Sequence, residues 1–207
     1  PGHPLRVVHY VEHLVGFLDA IGVGRAHISG ESLGGWVAAR MALHPVRVER
    51  LVLNTAGGSQ ADPEVMARII TLSMAAAENP TWETVQARIK WLMADKSKDY
   101  DDIVASRQRV YQQPGFAAAM KDIMALQDPQ IRARNLLGPD EYGAITAPAL
   151  VVWTSDDPTA DVREGRRMAS MISGARFEVM PGCGHWPQYE DPKTFDRLHL
   201  DFLLGRA

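Results

Sequence analysis

Cysteine is almost absent from this chain, since Cys183 is the only one among 207 residues. An internal disulfide framework is therefore excluded, and the sequence favours a reducing, cytoplasmic location. No apolar run approaches the roughly 20 residues of a transmembrane helix, and no signal peptide is visible. The net charge is only −3. The composition thus gives no electrostatic reason to expect nucleic acid or an anionic membrane as a partner.

The chain is 46% hydrophobic and 23% charged. Its length and composition suffice for one domain with a sizeable core. Apolar runs that predict strands alternate with helical patterns, which indicates an α/β fold with a mainly parallel sheet. These runs are Ala26–Ser29, Val48–Asn54, Ala149–Thr154 and Arg176–Met180. The strand pattern disappears in the middle of the chain. We therefore expect a core formed by residues 1–58 and 147–207, with an inserted helical cap over residues 59–146.

Methionine is concentrated in this expected cap. It holds five of the nine methionines, namely Met66, Met74, Met93, Met120 and Met124. Flexible methionine side chains suit an apolar ligand, although ordinary helix packing explains any single one equally well.

The most informative stretch is Gly30-Glu31-Ser32-Leu33-Gly34, which follows an apolar run and opens a helical one. A strand, a Gly-x-Ser-x-Gly turn and a helix form the context of a nucleophile elbow. We expect the turn to be too tight for a Cβ atom at Gly30 or Gly34. Ser32 would lie at the positive end of the helix, where the Leu33 N–H can stabilise an oxyanion. The alternative is a glycine-rich turn with a capping serine.

Two later loops supply an acid and a histidine. Asp156 and Asp157 follow the third predicted strand, and His185 follows the fourth. Because the carboxyl ends of parallel strands meet at one crevice, these side chains are expected near Ser32, in the order Ser, Asp, His. His185 would accept the proton of Ser32 or of water, while Asp157 orients the imidazole and stabilises its charged form. Asp156 is a rival for the acid, and Asp157 is favoured.

A second motif, His9-Tyr10-Val11-Glu12-His13, fits the arrangement of a zinc-binding helix. Two histidines four residues apart can share one helix face and hold one metal. No third ligand lies in a matching helix, so a solvated polar face opposite a stripe of valines is favoured. No metal is expected.

Four segments carry a family resemblance. They are Gly30-Glu31-Ser32-Leu33-Gly34-Gly35-Trp36, Asn54-Thr55-Ala56-Gly57-Gly58, Trp153-Thr154-Ser155-Asp156-Asp157-Pro158-Thr159 and Gly184-His185-Trp186-Pro187-Gln188-Tyr189-Glu190. Together they resemble the meta-cleavage-product hydrolases, α/β-hydrolases that cut carbon–carbon bonds in ring-opened aromatic compounds. A tryptophan directly after the histidine is more specific to that family than the three catalytic residue types.

The resemblance implies an α/β-hydrolase fold with catalytic Ser32, Asp157 and His185, a small-molecule substrate, a homodimer and no cofactor. It also implies that Arg107 binds the carboxylate of a 2-hydroxy-6-oxo-dienoate, a task suited to a planar guanidinium. Trp186 would belong to the same substrate site. Arg109 is a rival, and a solvated helix arginine is the alternative to either.

The implied reaction begins with ketonisation of the dienol and continues with hydrolysis assisted by Ser32, His185 and Asp157. A carboxylesterase or lipase-like hydrolase, and an inactive hydrolase-fold receptor, are the alternatives. The family's core has further strands before the point at which this chain begins, including a loop with a second oxyanion donor. We therefore expect the N-terminal strands to be missing here, with Pro1-Gly2-His3 forming the turn after them.

Overall fold

The computed structural model describes residues 6–58 and 62–206. It contains a sheet in which neighbouring strands are parallel, in the order β1 (Ala26–Glu31), β2 (Val48–Asn54), β3 (Ala149–Thr154) and β4 (Arg176–Met180). The α-helices are α1 (Val7–Ala20), α2 (Leu33–Met41), α3 (Pro63–Glu78), α4 (Trp82–Leu92), α5 (Asp101–Tyr111), α6 (Phe116–Met124), α7 (Pro129–Ala133), α8 (Pro139–Gly143), α9 (Val162–Met171), α10 (Pro187–Glu190) and α11 (Pro192–Leu203). The predicted α/β class with a parallel sheet is confirmed.

Both faces of the two central strands are covered, which explains the apolar runs 51–53 in β2 and 149–153 in β3. Successive side chains of a strand point to opposite faces. Leu51 and Leu53 pack with α1, α2 and α9 on one face, whereas Val52 packs with α11 on the other. The register pairs Gly30 with Leu53 and Leu53 with Val151, so the carboxyl ends of the central strands lie at one edge.

The described residues between β2 and β3 are helical and contain no strand. The first of these helices begins at Pro63, because the Asp62 carboxylate accepts from the N–H groups of Glu64 and Val65 and a proline is favoured in the first turn. Helices α3 to α6 share an apolar cluster that also includes Trp186. The helical segment and the loop that carries His185 therefore pack as one unit.

Direct hydrogen bonds fix the end of α4 to that loop. The backbone N–H of His185 donates to the Leu92 carbonyl at 2.7 Å. The Glu190 carboxylate accepts from the N–H groups of Ala94 and Gly184, at 2.6 and 2.7 Å. These contacts fix the position of α4 relative to the loop that follows β4.

The turn expected at Pro1-Gly2-His3 lies outside the described residues. Within the described ranges, none of the helices combines the length and the apolar character needed to cross a bilayer.

Candidate active site

Ser32 occupies a strained turn between β1 and α2. Its backbone lies at φ 53° and ψ −118°, a region that costs a non-glycine residue on the order of 1–3 kcal/mol. Neighbouring backbone holds it there, because its N–H donates to Asn54 and its carbonyl accepts from Gly57 at 2.7 Å. Leu33 is the first residue of α2, so its N–H has no acceptor within the helix. This is the geometry of a nucleophile elbow.

The glycines of the elbow differ from the expectation at one position. A Cβ on Gly30 would overlap the Gly34 carbonyl, as the tight turn predicts. The expectation for Gly34 is wrong, because a Cβ there would meet no atom within 4 Å. Gly35 takes that role instead: its Cβ would lie 2.5 Å from the Cβ of Ala56. The close approach is between α2 and the segment after β2, which the spacing within the motif does not reveal.

His185 is joined to Asp157 and not to Asp156. The imidazole Nδ1 lies 3.1 and 3.0 Å from the two carboxylate oxygens of Asp157. Because an ionised carboxylate only accepts, Nδ1 carries the proton in this contact. Thr159 fixes the acid by donating from its N–H and its hydroxyl to Oδ1, at 2.8 and 2.7 Å. Asp156 is exposed and accepts from the Ser155 hydroxyl.

The other imidazole nitrogen faces a residue that the sequence analysis did not single out. Glu31 Oε1 lies 3.3 Å from Nε2 of His185. This oxygen is buried and has no hydrogen-bond partner among the described residues. Burial, the largest effect, raises the pKa of Glu31. Ser32 and His185 line the same cavity, but the structure places a carboxylate at the nitrogen that would face the Ser32 hydroxyl.

The cavity above these residues has a volume of about 450 Å³ and is roofed by the helices between β2 and β3. Met66, Met120 and Met124 line it, whereas Met93 is buried among the helices. The cavity is therefore mainly apolar on its roof, next to a polar floor.

Cationic side chains also reach this cavity. The Arg107 guanidinium lies 4.9 Å from the centre of the Trp186 ring, and both residues line the cavity. Arg109, the rival position, is exposed. Arg88 is a second lining guanidinium, held by the Tyr111 hydroxyl at 2.8 Å and the Ser73 hydroxyl at 3.2 Å. Arg132 also lines the cavity, so an anion entering it would meet three arginine side chains.

The profile of the alpha/beta hydrolase family matches residues 1–198. The chain belongs to this family. The expected α/β-hydrolase fold is confirmed.

Relatives of this chain are found at about one-third identity. The 2-hydroxy-6-oxo-6-phenylhexa-2,4-dienoate hydrolase of Burkholderia cepacia is 32% identical over 195 residues, which cover 92% of this chain and 66% of the relative. The 2-hydroxy-6-oxononadienedioate/2-hydroxy-6-oxononatrienedioate hydrolase of Burkholderia vietnamiensis is 33% identical over 198 residues, with the same shares covered. The chain thus spans about two thirds of the length of these relatives.

Among solved structures, the meta-cleavage product hydrolase CumD of Pseudomonas fluorescens IP01 has the same fold. Its TM-score is 0.83 at 24% identity, covering 100% of this chain and 74% of that one.

Three residues of this site were not predicted from the sequence, namely Glu31, Arg88 and Thr159. Glu31 lies inside the elbow motif and was available as a signal, being an acid next to the serine. Arg88 lies on a helix whose pattern does not show which face meets the cavity. Thr159 is short and polar, and only its distance to Asp157 reveals its role.

The histidine pair on α1 does not form a metal site in the described part of the chain, where no group of three or more His, Cys, Asp or Glu residues could hold an ion. Nδ1 of His9 instead accepts from the Arg6 N–H at the start of the helix, and His13 is exposed.

Proposed function

We propose that this hydrolase cleaves a carbon–carbon bond in a 2-hydroxy-6-oxo-hexa-2,4-dienoate-type product of aromatic ring fission. The observation that carries the proposal is one cavity lined by Ser32, by His185 and by the Arg107 guanidinium over Trp186, with the His185 imidazole bound to Asp157. A serine–histidine site alone would serve an ester equally well. An arginine beside that site gives a reason for a substrate with a carboxylate, as the names of the relatives also indicate.

In this proposal Arg107 binds the substrate carboxylate and the methionine-lined roof covers the apolar remainder. A guanidinium offers two parallel N–H donors to a carboxylate, which fixes both its position and its orientation. Stacking on Trp186 restricts the Arg107 side chain before the substrate arrives. The reacting carbons would then lie over Ser32.

The reaction starts with ketonisation, in which the dienol proton is removed and a ring-derived carbon is protonated. The resulting ketone is an electron sink beside the bond to be broken. Ser32, or water activated by His185, then adds to the distal ketone, and the Leu33 N–H stabilises the oxyanion. The carbon–carbon bond breaks with its electron pair delocalised into the sink, and protonation of the resulting dienolate gives a 2-hydroxypentadienoate. If water is the nucleophile, the other product is the carboxylic acid; if Ser32 is, the other product is an acyl-enzyme, which water activated by His185 hydrolyses to the acid. Asp157 stays ionised throughout and holds the Nδ1 proton.

The proposal includes the organisation expected from the sequence: a core of residues 1–58 and 147–207, a cap of residues 59–146, a homodimer and a cytoplasmic location. Neither a cofactor nor a metal takes part in the proposed steps.

The test follows loss of the yellow dienolate colour and compares it with turnover of p-nitrophenyl esters. Arg107→Met should raise KM for the dienoate by about 10- to 100-fold, because a charge-assisted hydrogen bond contributes about 1.5–3 kcal/mol. Turnover of a neutral ester should change far less. Arg109→Met, which removes an exposed guanidinium from the same helix, is the matched control and should leave both reactions as they are.

Two outcomes would contradict the proposal. Efficient ester hydrolysis with an untouched dienoate would favour the esterase alternative. Failure of a serine-directed phosphonate to label Ser32 in the folded protein would favour an inactive receptor.

A further inference from the structure

The Glu31 carboxylate holds a position that the proposed chemistry assigns to Ser32. In a working triad, the imidazole Nε2 faces the serine hydroxyl and accepts its proton. Here Nε2 faces Glu31 Oε1 at 3.3 Å, and the hydrogen bonds of His185 side-chain atoms go to Asp157 and Thr159. Glu31 directly precedes Ser32 on the elbow, so the two side chains start from adjacent points of one turn.

The charged groups around the imidazole come from three other parts of the fold. Asp157 approaches from the loop after β3, Arg88 from α4, and Arg107 from α5 acts on Glu31. Burial would lower the pKa of His185, but Asp157 and then Glu31 outweigh it and raise the pKa above its usual value; Arg88 opposes them. The imidazole therefore lies between two carboxylates in a buried place, and both favour its protonated form.

We propose that Glu31 is a positioning residue for His185. In the free enzyme the Glu31 carboxylate holds Nε2 of His185 away from Ser32, and it keeps the imidazole protonated for as long as the two side chains stay in contact. The inference deepens the proposed function and rests on its Ser32–His185–Asp157 triad. Glu31 acts through His185 and takes no part in bond breaking. It follows that Ser32 becomes a nucleophile only at a pH where His185, in contact with Glu31, has lost its second ring proton.

The size of this effect follows from the contact distance. An opposite charge within about 4–6 Å shifts a pKa by about 1–3 units. Arg107 and Arg88 oppose the effect of burial on the pKa of Glu31 and so favour its charged form. Neutralising Glu31 should thus move the midpoint of His185 to lower pH by about one unit. A change of this kind appears in a pH profile, whereas a purely structural loss scales the rate equally at every pH.

The experiment measures the rate at which a fluorophosphonate labels Ser32 between about pH 5 and 9, together with the NMR titration of the His185 ring. Glu31→Gln should lower both midpoints by about one unit, so that below them the variant is labelled about tenfold faster than the wild type. Glu12→Gln removes a charge from the exposed face of α1 and should follow the wild-type profile.

Equal midpoints for the wild type and Glu31→Gln, with Ser32 labelled in both, would overturn the role of Glu31 and leave the proposed function standing. No labelling of wild-type Ser32 at any pH would instead refute the triad itself. If Glu31→Gln does not fold, Glu31→Asp is the second variant, because its shorter side chain moves the carboxylate away from His185 by one methylene. It must still lower the midpoint of the His185 titration, by a smaller amount. An unchanged midpoint in that variant would equally overturn the inference.

Discussion

Replacing Gly34 and Gly35 separately by alanine tests how the elbow is packed. The two positions are adjacent in α2, and the same methyl group is added at each. A Cβ on Gly35 would lie 2.5 Å from Ala56 Cβ and 2.9 Å from Ala56 Cα. A Cβ on Gly34 would meet nothing within 4 Å. The two variants therefore differ almost entirely in whether the added methyl group clashes with the segment after β2.

The magnitudes follow from these distances. Ordinary carbon contacts are about 3.5–4.0 Å, so alanine at position 35 must push the two segments about 1 Å apart. Such overpacking costs about 1–3 kcal/mol of unfolding free energy, which lowers Tm by roughly 2–12 °C in a chain of this length. Alanine at position 34 has no clash and should stabilise the helix by up to about 1 kcal/mol.

The assay is urea and thermal unfolding of both variants, with phosphonate labelling of Ser32 as the functional readout. Gly35→Ala should also slow labelling, because Gly57, next to Ala56, holds the Ser32 carbonyl and moves with it. Gly34→Ala should label at about the wild-type rate. Equal loss of stability in the two variants, or a greater loss for Gly34→Ala, would refute the packing argument.

Two further predictions concern the acid and the cysteine. Asp157→Asn should reduce the rates of Ser32 labelling and of turnover by on the order of 10³- to 10⁴-fold, because the amide favours the wrong imidazole tautomer. Asp156→Asn, at an exposed position, should change these rates little. Similar losses in both variants would contradict the assignment of Asp157 as the acid. Burial raises the pKa of Cys183 to about 11, which lowers the thiolate fraction at pH 8. Its reaction with a disulfide reagent should therefore be about a hundredfold slower in the native protein than in urea. Equal rates in the two states would show that Cys183 is not buried.

Much of the fold could be predicted because its signals are local. The runs that predict β2, β3 and β4 match the observed strands. The signal is clearest in β3, where every residue is buried and a strand covered on both faces needs apolar residues throughout. Asp62-Pro63 marks the start of α3 in the sequence because the cap and the first turn are made by neighbouring residues. The order of serine, acid and histidine also indicates where they meet, since parallel strands place their carboxyl ends at one edge.

By itself, the sequence therefore determined the parallel sheet, the strand–turn–helix context of Ser32 and the two loops that carry Asp157 and His185. Only the tertiary structure decided that Gly35 and not Gly34 meets Ala56, that Glu31 reaches Nε2, and which arginines line the cavity. The physical reason is that periodicity and turn chemistry act between near neighbours, whereas these distances depend on how separate segments pack. The contact between Ala94 and Glu190, 96 residues apart in the chain, is set by the packing of the helices on the sheet edge.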